Sequence, residues 1–262
     1  MFFKNLSIKM KLSLTVIIIV LILTAFLSFY SIKQSSNLIK NEEKESLFMV
    51  GDHIQTQMNN QLESARMSVS SIANNPEIQR LFAERNREEL ENRLLPAYQE
   101  ISDEVAQFQF HEPDSSSFLR LHAPDEYGDS LKDFRHTVNE ANEKEKTVMG
   151  LEEGRGGFGF RVVVPVSYED EHIGTVEYGS SFNKEFLENI QKEMNGEYFI
   201  YIFEDAAGVA WDAVEDGRLG ATTEDNWDIE DEEMISQIKN GERVFSLSEN
   251  EDHRILLQPF TD

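Results

Sequence analysis

Residues 12–32 form an uncharged apolar run, LSLTVIIIVLILTAFLSFYSI, close to the N-terminus. A helix of these 21 residues is long enough to span the hydrocarbon core of a bilayer, which is about 30 Å thick. A cleaved signal peptide is the alternative, but its apolar core is normally only about 7–15 residues long and precedes a small-x-small cleavage site. The length of the run, together with the large residues Leu27, Phe29 and Tyr30, favours an uncleaved transmembrane anchor.

The residues on each side of this run predict its orientation. Lys4, Lys9 and Lys11 precede it, so residues 1–11 are expected to stay in the cytoplasm and everything after about residue 32 to be extracytoplasmic. No second apolar run of spanning length follows, and the chain stops in a strand-like segment, HRILLQPFTD. We therefore expect a fragment of a longer protein that has been cut before its next membrane crossing.

The charge of the chain excludes several classes of partner. With 24 basic and 49 acidic residues, the formal net charge is −25, which argues against binding to nucleic acid or to anionic lipid headgroups. The acidity indicates either a solvated surface for a salty or alkaline environment, which we favour, or a cation-binding surface with clustered ligands. The sequence has no cysteine, which excludes disulfides, thiolate catalysis and cysteine-type zinc sites.

A long amphipathic helix is predicted to continue directly from the anchor. From residue 31 to about residue 74 there is no proline and a single glycine, Gly51. Residues 33–103 are assigned to extracytoplasmic stalk helices, with a break at Asn75-Pro76. The stripe of the long helix either packs on a sheet or pairs with a second copy of the chain. Its members recur at steps of three and four, as one face of a helix does: Leu47, Val50, Ile54, Met58, Leu62, Ala65, Val69 and Ile72.

After residue 103 the apolar period changes to that of strands. QFQF, SFLRLH, FGFRVVVPV and HIGTVEYGSSF are rich in aromatic and β-branched residues, as strands are. Between them, DSLKDFRHTVNEANEK predicts a helix that Asp129 or Ser130 could cap. Its buried face is expected to contain Leu131, Phe134, Val138 and Ala141. This order of elements predicts an α+β fold with an antiparallel sheet.

A second, smaller set of strands and helices follows, so the chain is divided into consecutive segments. Residues 104–183 form a membrane-distal module, residues 184–196 a linker helix, and residues 197–262 a membrane-proximal module that lacks its last strand. The second module is expected from the segments EYFIYIFE, GVAWDA, DEEMISQIKNGE, RVFSLS and HRILLQPF.

The sequence contains no recognisable catalytic or metal-binding motif. HExxH and G-x-S-x-G are absent, and GRGGFGF lacks the Lys-Ser/Thr ending of a P-loop, so a hairpin is favoured there. The carboxylate run at residues 225–233 lacks the central Gly and the twelfth-position Glu of an EF-hand, which favours a solvated loop over a calcium site. Four histidines without a local metal spacing read as structural or surface residues rather than a zinc site: His111, His122, His136 and His172. We predict no catalytic residue, no metal and no cofactor.

Three arginines indicate a binding site more clearly than the histidines do. Arg120 lies between Leu119 and Leu121 in an apolar strand, Arg135 lies in the predicted helix, and Arg161 opens a β-branched run. Arg120 and His122 are expected to share one strand face, because strand side chains alternate. Buried guanidinium groups need partners, and two kinds remain open here: a ligand, or an internal carboxylate such as Glu152, Glu177 or Asp129.

Several consecutive motifs resemble a known family. The segments FQFHEPDSSSFLRLHAPDEYGDSLKDFRHTVNEAN, GLEEGRGGFGFRVVVPV and HIGTVEYG, with IANNPEIQRLFAERNREEL upstream, resemble the double Cache sensor domains. The match covers about Ser70 to Phe182 and is nearest to the third subfamily, which occurs on methyl-accepting chemotaxis receptors and some sensor kinases. The resemblance implies a long helix followed by two PAS-like modules, a homodimer formed along that helix, and a small organic ligand, carboxylate- or amino-acid-like, in the distal module.

The resemblance also implies which residues line the ligand site, between the sheet and the inserted helix with its loops. They are inferred from their positions in the fold: Phe118, Arg120 and His122 from a strand, Tyr127 from a loop, Phe134 and Arg135 from the helix, and Phe158, Arg161, Glu177 and Tyr178 from later strands.

Three functions of different classes follow from the sequence. The first is the ectodomain of a transmembrane chemoreceptor, with a sensor histidine kinase carrying the same ectodomain as its alternative, which signals by displacing helices. The second is a membrane-anchored hydrolase with two carboxylates roughly 5–9.5 Å apart across a cleft. The third is a structural ectodomain without an enclosed pocket in the distal module.

Overall fold

The computed structural model describes residues 7–103, 105–155, 157–202, 219–223, 231–247 and 253–259. Their contacts divide the chain into two compact units. One unit contains Met1–His53 together with Glu233–Pro259, and the other contains Ile54–Glu232. The structure confirms a mixed helix and antiparallel-sheet fold behind a long N-terminal apolar helix.

The long N-terminal helix, α1 (Ile8–Ala73), runs without interruption through the predicted anchor and the stalk. Its first part is long and apolar enough to cross a membrane. In the unit that begins at Ile54, the predicted stripe is buried in the hydrophobic core at Met58, Leu62, Ala65 and Val69. This part of the stripe therefore packs within its own chain.

Two short helices follow α1. Helix α2 (Pro76–Ala83) begins after Asn75, whose side chain accepts hydrogen bonds from two backbone N–H groups of the first turn. It buries Ile78, Leu81 and Phe82. Helix α3 (Arg87–Gln99) begins after Asn86, whose side chain accepts one hydrogen bond from the backbone N–H of Glu89.

A five-stranded antiparallel sheet forms the centre of this unit, in the order β2-β1-β5-β4-β3. The hairpin between β4 and β5 turns at Glu169 and Asp170, which both have positive φ, the geometry of a tight two-residue turn. Gly174 in β5 also has positive φ, and a side chain there would collide with the carbonyl of His111. The strands are β1 (Gln107–His111), β2 (Ser117–Arg120), β3 (Val148–Gly154), β4 (Gly157–Tyr168) and β5 (Glu171–Ser181).

The helix between β2 and β3 is shorter than predicted. Helix α4 spans His136–Lys144, so neither Asp129 nor Ser130 caps it, and Phe134 and Arg135 precede it. The reason is that the preceding segment pairs with the edge of the sheet: Ser130 bridges to Ser116, and the N–H of Leu131 donates to Ser115. Of the four predicted buried residues, Leu131, Val138 and Ala141 are buried and Phe134 is half-buried.

The remaining elements belong to the predicted linker and proximal module. Helix α5 (Lys184–Glu193) is followed by the pair β6 (Phe199–Tyr201) and β7 (Leu219–Thr222). The predicted strand GVAWDA and most of the carboxylate run at 225–233 lie outside the described residues. In the unit with the N-terminal helix, the elements are α6 (Glu232–Lys239), β8 (Val244–Leu247) and β9 (Arg254–Leu257). There, Arg254 contacts Glu43 with two hydrogen bonds of 2.7 and 3.1 Å.

Candidate functional site

The two faces of the five-stranded sheet differ in chemistry. One face packs against α1 and α2 through apolar side chains such as Phe110, Leu119 and Val162. The opposite face, which we call the polar face, carries polar and charged side chains in adjacent strands, and all of them except Gln107 are buried. Its members follow from the strand register and are Gln107, Gln109, His111, Arg120, Glu152, Arg161, Thr175 and Glu177. Helix α4 covers part of this face through Val138 and Ala141, which pack on Val163.

Glu177 lies at the centre of the polar face and is fully buried. Its Oε1 forms an ion pair with Nη2 of Arg135, and its Oε2 accepts a 2.9 Å hydrogen bond from Nε2 of Gln109. The ring Nε2 of His111 lies 3.3 Å from Oε2. Burial alone would raise the pKa of Glu177, but the charges of Arg135, His111 and Arg161 outweigh it and lower the pKa to about 2. Glu177 is therefore ionised at neutral pH.

Arg135 joins two carboxylates of the polar face. Its Nε donates to Oε2 of Glu152 over 2.8 Å, while its Nη2 contacts Glu177. Glu152 also accepts hydrogen bonds of 2.7 Å from the backbone N–H and the hydroxyl of Thr137, in the first turn of α4. Although burial acts against the charge, the two carboxylates raise the pKa of Arg135. The buried pair therefore fixes the start of α4 to strands β3 and β5.

Arg120 is paired with the segment that precedes α4. Its Nη1 and Nη2 lie 2.8 and 3.0 Å from the two carboxylate oxygens of Asp129, and its Nε donates to Oε1 of Gln109 over 3.3 Å. Asp129 also accepts a 3.1 Å hydrogen bond from Arg155, which follows β3. The hydrogen bond from Arg120 lowers the pKa of Asp129. Asp129 thus links the edge strand β2 to the β3–β4 turn.

Arg161 differs from Arg120 and Arg135. Its Nη1 donates to Oε1 of Gln107 over 2.7 Å, but its buried Nε has no hydrogen-bond partner among the described residues, and the nearest oxygen of Glu177 is 3.8 Å away. Methyl groups at Gly159 or Gly179 would press against its guanidinium, so these glycines let the side chain lie flat on the sheet. Burial, only partly offset by Glu177, lowers the pKa of Arg161 to about 10.

His111 predicts a pH dependence of stability. It is fully buried, with Nδ1 3.0 Å from the hydroxyl of Thr175, and burial, opposed by Glu177, lowers its pKa from 6.5 to about 3. Between these two values the unfolded chain binds a proton that the folded chain excludes, so stability falls as the pH decreases. From pH 7 to pH 5 we expect His111 to reduce the free energy of unfolding by about 2 kcal/mol.

Urea denaturation of wild type and His111→Gln at both pH values measures this loss. Glu177 does not interfere, because its contribution is lost only below about pH 4.5, its unfolded-state pKa. The exposed His136 provides the matched control, His136→Gln. Equal losses for wild type and His111→Gln would contradict the assignment.

The structure brings part of the predicted lining set together and separates the rest. Arg120, Arg135, Arg161 and Glu177 form the charged cluster described above. Phe118 instead packs on Phe82 of α2, with ring centroids 5.1 Å apart. Tyr178 packs against the core on the α1 side of the sheet, and Phe158 falls in the same alternation as Phe160 on that side.

The remaining predicted lining residues lie at the margin of the polar face. Strand β2 ends at Arg120, so the prediction that His122 shares its strand face is wrong. His122 lies in the bend that follows, and burial lowers its pKa. Tyr127 is 54% exposed and is covered by Arg87, whose guanidinium carbon is 3.7 Å from the ring centroid. The ring of Phe134 lies under Arg155, whose guanidinium carbon is 4.7 Å from the ring centroid.

Sequence reasoning missed three polar members of this face: Gln107, Gln109 and Thr175. The signal was present in strand β1, where QFQFH alternates polar and aromatic residues and so predicts one polar and one apolar face. Within the described residues, no group of three or more His, Asp or Glu side chains is arranged to hold a metal ion.

An apolar N-terminal helix precedes an antiparallel sheet whose polar face is partly covered by an inserted helix. The comparison with protein families shows the class to which this arrangement belongs. Residues 40–248, more than half of the chain, match the dCache_3 family, the double sensory domain of two-component sensor kinases. The chain belongs to this family.

The solved structures that this chain matches are distant in sequence. The periplasmic domain of Vibrio cholerae LuxQ is 12% identical, with 71% of this chain and 83% of that chain covered and a TM-score of 0.46. The sensor domain of the V. cholerae histidine kinase DctB is 9% identical, with coverages of 80% and 84% and a TM-score of 0.48. A comparison with curated protein sequences finds no match.

Proposed function

We propose that this chain is the extracytoplasmic sensory domain of a transmembrane receptor that binds a small organic ligand at the polar face of the distal module. The observation that carries the proposal is the buried charged cluster around Glu177, which lies beneath α4 and the Asp129 segment. A cluster of three arginines and three carboxylates costs folding free energy unless every member is paired. Placing such a cluster under a covering segment is typical of a binding face rather than of a simple core.

The same contacts connect the polar face to the helix that covers it. Arg135 and Thr137 hold the start of α4 through Glu152 and Glu177. A ligand that changes these contacts would favour one of two packed arrangements of the module, and a coupling free energy of about 1–3 kcal/mol is enough for a receptor. Homodimerisation through α1, with residues after about 32 outside the cell, completes this proposal.

Two kinds of output fit this sensory domain. The resemblance to chemotaxis receptors favours flagellar steering, and the description of the family names two-component sensor kinases. Joining the chain to the cytoplasmic region of a chemoreceptor and to that of a histidine kinase would compare the two outputs. We expect ligand-dependent signalling from the fusion with the chemoreceptor region, which is the output that the resemblance favours.

A hydrolase is the less favoured function. The carboxylates Glu152 and Glu177 both pair with Arg135, and the lowered pKa of Glu177 makes it a poor proton donor at neutral pH. These features support a binding face over a general acid–base pair.

A thermal-shift screen of the full 262-residue chain in detergent tests the proposal, with organic acids, amines, amino acids, sugars and nucleosides as probes. A ligand present at 100 times its Kd stabilises the folded state by about 2.7 kcal/mol, which raises the Tm measurably. Arg120→Ala should reduce this shift, because it removes the buried partner of Asp129 and so loosens the segment that covers the polar face.

The matched control for this screen is Arg243→Ala. Arg243 is also an arginine paired with an aspartate, Asp52, but it lies in the other compact unit, so its variant should keep the ligand shift. Turnover of a glycoside or an ester, with no stabilising ligand in any class, would refute the proposal.

A further inference from the structure

The polar face distributes its positive charges unequally among the available carboxylates. Arg120 is held by both oxygens of Asp129, and Arg135 is held by Glu152 and Glu177. Each of these two guanidinium groups is therefore committed to internal ion pairs. Arg161, which is 3% exposed, has a single described hydrogen bond, and that bond goes to the neutral amide oxygen of Gln107.

Two further observations indicate that Arg161 is arranged to receive an anion. Its Nε–H is buried and has no hydrogen-bond acceptor among the described residues, and an unsatisfied donor on a charged group is costly. The surface around its guanidinium is formed by Gly154, Gly159 and Gly179, where any side chain would come close to the Nη atoms. The backbone of these glycines therefore leaves the guanidinium uncovered by side chains at these three positions, and Gln107 is the neighbour that accepts from its Nη1.

The carboxylates of the same face show which ligands are disfavoured. Glu152 already accepts three hydrogen bonds, Glu177 accepts from Arg135 and Gln109, and Asp129 is shared by Arg120 and Arg155. Asp129 is thus paired with Arg120, while Glu152 and Glu177 share Arg135. The closest approach of Arg161 to a carboxylate is the 3.8 Å from its Nε to Oε1 of Glu177, which is too long for a hydrogen bond. A ligand ammonium group would have to displace one of these arginines, whereas a ligand carboxylate would complete the coordination of Arg161.

We propose that Arg161, rather than Arg120, is the anchor for the ligand, and that the ligand is a small carboxylate without an ammonium group. This inference rests on the proposed sensory function and adds to it the ligand class and the specificity-determining residue. The guanidinium fork binds the carboxylate oxygens, and Gly159 and Gly179 position the fork. The pKa of Arg161, lowered by burial to about 10, agrees with a guanidinium that lacks full compensation.

The test compares matched probes on the full chain in detergent by thermal shift and by calorimetric titration. Propionate, propionamide and alanine differ only in charge or in the added ammonium group, and lactate with lactamide and pyruvate with pyruvamide extend the set. We expect binding of at least one carboxylate, with its amide and the amino acid weaker by about 10- to 100-fold.

Variants at Arg161 assign the effect to this residue. Arg161→Gln should lower carboxylate affinity by about 10- to 100-fold. Arg161→Lys keeps the charge but loses the planar guanidinium, so its carboxylate affinity should be between those of Arg161→Gln and wild type. Arg66→Gln, at a partly exposed arginine paired with Glu63 on α1, is the matched control and should bind as wild type does. If Arg161→Gln does not fold, Arg161→Lys and the comparison of probes on wild type decide the result.

The outcomes separate this inference from the function on which it rests. Binding of amines, amino acids or neutral molecules alone, or carboxylate binding that Arg161→Gln leaves unchanged, overturns the role of Arg161 and leaves the sensory function standing. The absence of a response to every probe, in this set and in the broader screen, overturns both.

Discussion

Replacing Arg135 by methionine is expected to lower the free energy of unfolding by roughly 3–5 kcal/mol. The substitution preserves much of the side-chain volume but leaves Glu152 and Glu177 as neighbouring buried carboxylates that lose their shared partner. Removing one member of a buried ion pair is costly because the remaining charge has already left water. The pKa of Glu177 should rise as well, since Arg135 is the largest influence that lowers it.

Urea denaturation, followed by circular dichroism at pH 7, measures this effect. The control Arg155→Met removes an exposed arginine that contacts Asp129, and its cost should stay within about 1 kcal/mol, as for surface ion pairs. The double variant Arg135→Met/Glu177→Gln should recover part of the lost stability, because it removes one of the two stranded charges. A cost below about 1 kcal/mol for Arg135→Met would show that the buried pair is not formed in solution.

The second large effect is expected at Phe82, which α2 buries completely against the sheet. Its ring lies 5.3 Å from that of Phe110 and 5.1 Å from that of Phe118, and the guanidinium of Arg85 is 4.9 Å above it. Phe82→Ala should reduce the free energy of unfolding by about 3–5 kcal/mol, because it removes the apolar ring and leaves a cavity.

Comparison with a solvent-facing apolar residue makes this prediction specific. Met67 on α1 is 61% exposed, and Met67→Ala should change the stability by no more than about 0.5 kcal/mol. The free energy of unfolding of Phe82→Leu should be between those of Phe82→Ala and wild type, since leucine fills part of the cavity. If Phe82→Ala and Met67→Ala cost the same, α2 does not pack on the sheet as described.

These two residues represent the two faces of one sheet. Phe82 belongs to the apolar side, where α1 and α2 contribute to the core. Arg135 contacts the polar face, where α4 is attached by ion pairs instead of by a large apolar contact. Apolar packing is non-directional, whereas paired charges have defined geometries. Under the proposed sensory function, the polar face is therefore the side on which a ligand would alter an arrangement without unfolding the module.

Element type was largely predictable from local pattern. The stripe through Met58, Leu62 and Val69 predicted a helix face, and these residues are buried. The aromatic and β-branched segments predicted strands β1, β2, β4 and β5. Both signals depend on the period with which side chains of a helix or strand return to one face, and this period is a property of neighbouring residues alone.

The boundaries of α4 were not predictable in the same way. DSLKDFRHTVNEANEK has the spacing and cap residues of a longer helix, yet the helix begins at His136. The backbone of Ser130 and Leu131 pairs with the edge near Ser116, and these hydrogen bonds compete with those of a helix. Such competition depends on a strand edge that lies outside the helical segment in sequence but near it in space.

For the three arginines, the sequence predicted the need for partners, and the fold decided which partners they have. Their positions among apolar residues of strands and of the predicted helix required partners, and ligand contact and internal pairing remained equal alternatives from the sequence. The fold pairs Arg120 with Asp129 and Arg135 with Glu152 and Glu177, across 17 and 42 positions of sequence for Arg135. It also brings Gly154, Gly159 and Gly179 around Arg161.

The sequence by itself determined the apolar run long enough to cross a membrane, the α+β class, the absence of cysteine chemistry and the family resemblance, because each depends on composition, local period or contiguous motifs. Only the tertiary structure decided which face of the sheet is polar, where α4 begins, and which guanidinium groups are committed to internal partners. These properties depend on distances between residues far apart in the chain, and the register of antiparallel strands defines those distances only once the sheet has formed.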